Sequence, residues 1–168
     1  MILTTHAIVG AAAGRLVFNP LLSFIMGFIS HFLIDAVPHW SYPLASLSRD
    51  KKNLLKNDMI INRHFIKDLI FIAVDFCSGI ILAIFIFQGR IGFINISLPL
   101  LFGALGGILP DILQFAYFKI RREPLIALQK LHIRFHLNHV EDIPALPYGI
   151  LSQIIVIIAA IIISKLIF

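Results

Sequence analysis

The chain has 168 residues, of which 59% are hydrophobic and 14% charged, and its mean hydropathy is +0.94. A soluble domain holds about 45–50% apolar residues, so this composition excludes an ordinary soluble enzyme and implies one integral membrane domain spanning 1–168. The formal charge of +5 bears first on which loops stay in the cytoplasm. No long soluble basic region exists to make nucleic acid a partner. The single cysteine, Cys77, excludes an intramolecular disulfide and a cysteine-based metal site.

The first cation is Arg15, so the start lacks the basic region of a cleavable signal peptide and the first segment is expected to be retained. Ile2 to Phe18 is a short apolar stretch with Thr4 or Thr5 as its expected N-cap. Gly10 and Gly14 form a small-residue face for close helix packing. Asn19-Pro20 marks a turn, after which Leu21 to Val37 runs apolar again. At about 1.5 Å per residue each half is short for a hydrocarbon core of roughly 30 Å, which predicts a short helical hairpin, spanning or partly re-entrant.

Residues 38–63 form the longest polar stretch, first aromatic (Trp40, Tyr42) and then basic. Phe65 to Phe87 is the third apolar segment, carrying Asp68 and Asp75. Ser97 to Phe118 is the fourth, with Gly103, Gly106, Gly107 and a break expected at Pro110-Asp111. Lys119 to Asp142 is a second basic region, and Pro144 to Phe168 is the last apolar span. The predicted fold is therefore all-α: a polytopic membrane bundle of about five hydrophobic helices, the first two a hairpin. Two spans separate the two basic regions, so they share a side, which the positive-inside rule makes cytoplasmic.

This topology gathers the ionisable residues in one leaflet. His31 and Asp35 are four apart, hence on one helical face, where an imidazole and a carboxylate can share a divalent ion. His6 starts the first segment, and the helix-terminal field there favours the neutral ring that a ligand needs. Asp111 follows the expected break and reads as a ligand. His132, His136 and His139 share a face; His132 or His136 is the expected ligand, against a surface amphipathic helix as the alternative. His39 lies past Pro38, where the helix should end, and is left outside the ligand set. Asp68 is expected to pair with His64 or Lys67. For Asp75 a ligand, a general base and a supporting carboxylate all stay open. Glu141 and Asp142 read as a helix cap before Pro144. An Asp near the middle of a span costs roughly 2.5–3.5 kcal/mol on insertion scales, which a cation would offset.

Taken in order, Thr5-His6 with Gly10 and Gly14, His31-x-x-x-Asp35, Leu109-Pro110-Asp111 and the His132 to His136 stretch resemble the membrane-bound metal-dependent hydrolase family. The His31–Asp35 element is also similar to the His-x-x-x-Asp element of zinc-dependent phospholipases C. The predicted function is hydrolysis of a phosphate ester, and the depth of the site in the cytoplasmic leaflet points to a lipid or lipid-linked substrate. The resemblance implies one or two Zn²⁺ ions on a subset of His6, His31, Asp35, Asp111, His132 and His136, although Mn²⁺ or Fe²⁺ suits such a shell almost as well. Asp35, Asp111 and His136 are the expected catalytic groups, with Arg134 and Lys130 holding the substrate phosphate. The alternatives are a metal-ion transporter or sensor using the same residues, and a membrane protein without enzymatic activity.

Overall fold

The computed structural model describes residues 1–50, 52–88, 96–136 and 145–167. Among the described residues, six α-helices carry the fold: α1 (Leu3–Gly14), α2 (Pro20–Asp35), α3 (Phe65–Gln88), α4 (Leu98–Ile120), α5 (Leu125–Phe135) and α6 (Ile150–Ile167). A π-helical turn, Ala145–Gly149, leads into α6. Strands β1 (Leu47–Ser48) and β2 (Asp58–Met59) form a small antiparallel ladder.

The helices α3 and α4, and the stretch Pro147–Ile167 containing α6, are long and apolar enough to cross a membrane. Their large apolar side chains face outward: Ile66, Ile70, Phe71 and Val74 on α3, and Ile154, Ile155, Ile158 and Ile162 on α6, are exposed. The buried residues of α6 are instead Gln153 and Ser164. This inversion of the soluble pattern suits a lipid surround. Helices α1 and α2, of 12 and 16 residues, are the shorter pair.

The expected hairpin of α1 and α2 forms, and glycine decides how it docks. A Cβ added to Gly27 of α2 would sit 2.0 Å from the Gly103 carbonyl oxygen, and one added to Gly10 of α1 would sit 2.5 Å from the same oxygen. On Gly107, an added Cβ would meet the His6 carbonyl oxygen at 2.4 Å. Backbones of α1, α2 and α4 therefore touch, with α1 antiparallel and α2 parallel to α4. Helix-to-helix attraction of this kind comes from dispersion at close range, which only the smallest residue permits.

Two local expectations are corrected. Neither Thr4 nor Thr5 is the N-cap of α1; the cap is Ile2, with no side-chain cap bond of its own. The free N–H groups are met from another helix, as Asp75 of α3 accepts from Leu3 N (2.7 Å) and Thr4 N (3.1 Å), while Thr4 Oγ1 donates to Asp75 Oδ1 (2.6 Å). Pro110 does not divide α4, which runs through it unbroken.

Below the glycine layer, α3 and α4 continue past the ends of the hairpin. Asp75 lies ten residues along α3 from Phe65, and Asp111 nine before Ile120; at the helical rise each is about 14–15 Å from that end. The space alongside is filled by the 38–62 segment and α5. Met59, Tyr117 and Phe118 form its core, with Leu44, Leu47, Leu55, Phe65 and Leu125 around them. Asp68 serves this cap: its carboxylate accepts from Ser46 N (2.7 Å) and Ser46 Oγ (2.6 Å), a role that the expected His64 or Lys67 pairing did not foresee.

Candidate metal centre

The lower ends of α1 and α2, the middle of α4 and one face of α5 meet at a single buried point. His6 enters from α1, His31 and Asp35 from the last turns of α2, Asp111 from α4 and His132 from α5. His31 Nε2 lies 3.0 Å from Asp35 Oδ2, and His132 Nε2 lies 3.2 Å from the same oxygen. His6 Nε2 is 3.2 Å from Asp35 Oδ1. Asp111 closes the group: Oδ1 is 3.7 Å from His132 Nε2 and 4.0 Å from His31 Nε2, and Oδ2 is 3.9 Å from His6 Nε2.

These separations bear on what can sit between the groups. Bonds of about 2.0–2.1 Å to a tetrahedral ion set its donor atoms roughly 3.3–3.4 Å apart. The observed range of 3.0 to 4.0 Å brackets that value. The angles, by contrast, do not suit hydrogen bonds: His6 Nε2, His31 Nε2 and Asp35 Oδ2 are buried and make none among the described residues. A buried polar atom in that condition costs about 1–3 kcal/mol.

His31 Nδ1 lies 2.8 Å from the Gly107 carbonyl oxygen. A carbonyl only accepts, so Nδ1 carries the hydrogen, and whenever the ring is neutral its lone pair lies at Nε2. That lone pair faces a carboxylate oxygen 3.0 Å away. Two acceptors at this distance repel unless a proton or a metal cation lies between them. A ligating histidine held by a backbone carbonyl through its other nitrogen is the usual way of fixing tautomer and ring plane. Gly107 is next to Gly106, whose carbonyl Pro110 leaves without its helical N–H partner. One stretch of α4 thus supplies the tight helix contact, the support for His31 and, at Asp111, a donor.

The structure brings His6, His31, Asp35, Asp111, His132 and His136 to this region and adds His39. His39 Nδ1 lies 2.7 Å from the Val37 carbonyl oxygen, so its Nε2 also offers a lone pair; it points to Asp35 Oδ1 at 3.9 Å and to the Met1 nitrogen at 2.6 Å. His136 sits between two neighbours, its ring 5.0 Å from that of His39 and 5.5 Å from that of His132. Burial, reinforced by the Met1 amino group, lowers the pKa of His39 to about 4 and that of His136 to about 3. Both rings are therefore neutral at pH 7, the form in which imidazole ligates.

The two proposed phosphate-binding cations stand elsewhere. Lys130 and Arg134 are exposed, and each is two residues from buried His132, about 200° around the helix. They occupy the face of α5 turned from the cluster. His139, Glu141 and Asp142 lie outside the described residues.

Three further groups support the centre. The Asp75 carboxylate fixes the start of α1 two residues before His6. Tyr42 lies beside Asp75, and burial together with that carboxylate pushes its hydroxyl pKa upward, keeping it a proton donor. Gln153 of α6 donates to the Trp40 carbonyl (3.0 Å) and accepts from Ile2 N (3.2 Å). It ties the His39 loop to α1. Within the cluster Asp35 is fully buried, while the Asp111 side chain is 25% exposed; Asp111 is the carboxylate that an incoming molecule would meet.

No protein-family model matches the chain, and comparison with curated proteins and with solved structures finds no match.

Proposed function

We propose that the chain is a membrane-embedded metal-dependent hydrolase acting on a phosphate ester, with the His6, His31, Asp35, Asp111 and His132 cluster as its metal centre. The observation that carries the reading is the pair of mutually facing donor atoms, His31 Nε2 and Asp35 Oδ2, buried, 3.0 Å apart and without hydrogen bonds among the described residues. Five nitrogen- and oxygen-bearing side chains from four helices fit a Zn²⁺ ion in donor type and spacing, and Mn²⁺ or Fe²⁺ nearly as well. An ion so held supplies Lewis acidity, acidifying water and polarising a phosphoryl oxygen.

The protein's own groups then have distinct tasks. His31, with its tautomer set by Gly107, and His132 hold the shell. Asp111, partly exposed, receives the reacting water and takes its proton. In the reaction the water oxygen bonds to phosphorus, the phosphorus–oxygen bond to the alcohol breaks, and the proton passes to the departing alcohol. Asp111 places the cluster about 14 Å along α4 from Ile120, beside apolar outward faces, and this depth favours an ester carried on a lipid or lipid-linked molecule. The resemblance to membrane-bound metal-dependent hydrolases agrees with this reading, as does a bundle in which all five apolar helices enter the membrane and the basic loops face the cytoplasm.

The rival transporter reading needs a polar path across the bundle. Above the cluster the helices touch backbone to backbone at Gly10, Gly27 and Gly103, a seal that suits a closed site rather than a path. The test is metal analysis of the purified chain, followed by phosphodiesterase assays on chromogenic esters and lipid phosphates. A bound divalent ion and an activity lost in both His31→Ala and Asp35→Ala are expected. A metal-free folded protein would refute the reading, and a metal-loaded protein without esterase activity would favour the transporter.

A further inference from the structure

We infer that the centre takes a second divalent cation, in a shell formed by Asp35, His39 and His136. This rests on the metal reading above and concerns how many ions the centre holds. Donor atoms of these three residues lie within 4.8 Å of one another, as do those of His31, Asp35 and His132. The two groups share Asp35, whose carboxylate faces both ways. Oδ2 lies 3.0 Å and 3.2 Å from His31 Nε2 and His132 Nε2, and Oδ1 lies 3.9 Å from His39 Nε2.

Oδ2 thus faces the first shell alone, while Oδ1 lies between His6 at 3.2 Å and His39 at 3.9 Å; a carboxylate so placed can bridge two ions, which such centres keep about 3.5–4 Å apart. Asp35 is fully buried, so neither oxygen has water as an alternative partner. The shells also repeat one construction. His31 is pinned through Nδ1 by the Gly107 carbonyl and His39 through Nδ1 by the Val37 carbonyl; each therefore turns Nε2 toward Asp35, that of His31 without a hydrogen bond and that of His39 with the Met1 nitrogen 2.6 Å away. His136, at the end of α5, completes the second shell beside His132, whose ring stacks on its own at 20°. The Met1 nitrogen stands in the same gap, 3.5 Å from Asp35 Oδ1, and is the rival occupant.

The experiment counts ions on the full chain in detergent micelles. The protein is stripped with a chelator, reloaded with Zn²⁺, freed of excess and analysed for zinc per chain; a parallel Mn²⁺ loading is read by electron paramagnetic resonance. The wild type is expected to hold two zinc ions per chain and His39→Gln one. Wild-type manganese should give a spin-coupled signal, and His39→Gln the six-line signal of an isolated ion. One zinc per chain in the wild type would overturn the inference and leave the first site standing, with the Met1 nitrogen as occupant of the gap. Two zinc ions in both proteins would overturn the assignment to His39. No zinc in a folded wild type would overturn this inference and the metal reading together. The wild-type count needs no variant, so a misfolded His39→Gln would not protect the idea.

Discussion

Gly27→Ala tests whether the glycine contact between α2 and α4 sets the geometry of the metal centre. Gly27 has no donor atom, and the first cluster residue on its helix, His31, is one turn further on. The added methyl carbon would lie 2.0 Å from the Gly103 oxygen, 2.8 Å from its carbonyl carbon and 3.0 Å from Gly107 N. Ordinary contact is about 3.5–4 Å, so the helices must separate by roughly 1 Å or more. No side chain can swing aside, because every contacting atom is backbone. Alanine gains about 1 kcal/mol in helix propensity over glycine. Overpacking costs typically 1–3 kcal/mol, and a backbone clash belongs at the upper end. The net expectation is a loss of about 1–2 kcal/mol. The displacement matters more for the site: α2 carries His31 and Asp35, α4 carries Asp111, and a metal shell tolerates about 0.2 Å. Affinity for Zn²⁺ should fall on the order of tenfold or more. Thermal unfolding can be followed by the fluorescence of Trp40, the only tryptophan, and affinity by competition with a chromogenic chelator. Leu33→Ala, at a position 61% exposed on the same helix, serves as control. A Gly27→Ala protein with wild-type affinity and an unchanged or higher melting midpoint would refute the reasoning.

Asp75→Ala should destabilise the chain by about 1–3 kcal/mol, because two backbone N–H groups and the Thr4 hydroxyl lose a charged acceptor; Asp75→Asn, which keeps one carbonyl oxygen, should lose less, and equal melting midpoints for the two would contradict this. Removing bound metal with a chelator should lower the melting midpoint, since an ion at a hundred times its dissociation constant stabilises by about 2.7 kcal/mol; Asp35→Ala should show no such ion-dependent difference. Lys130→Ala and Arg134→Ala, on the far face of α5, should leave zinc content unchanged as measured by elemental analysis.

The long elements were legible because their apolar runs are long. Phe65 to Phe87 was expected and α3 spans Phe65–Gln88. What failed was local chemistry answered from a distance. Thr4 and Thr5 look like caps, yet the group that meets the free N–H donors of α1 is Asp75, more than seventy residues away; no window along the chain contains both. Pro38 marks the end of a helix, and α2 stops at Asp35. But the chain then folds back, so His39 approaches Asp35 from outside the helix. A signal was present in the even spacing of His31, Asp35 and His39. The far-side position of Lys130 and Arg134 was readable too, since residues two apart on a helix cannot face the same way as His132 between them.

The site and the glycine layer are better understood together than apart. The carboxylates of Asp35 and Asp111, and the Nε2 of a neutral His31, repel one another in the absence of a proton or metal cation, and a loosely packed bundle would relieve that by moving the helices apart. Here it cannot do so cheaply. Helices α1, α2 and α4 are held at backbone contact through Gly10, Gly27, Gly103 and Gly107, α1 is fastened to α3 by Asp75, and the cap is fastened to α3 by Asp68. The small residues thus hold donors in place that would otherwise scatter, and the ion relieves a repulsion that the packing maintains. It follows that substitutions in the glycine layer should weaken metal binding even where they leave every donor untouched, whereas substitutions among the donors should leave the metal-free fold nearly as stable as before.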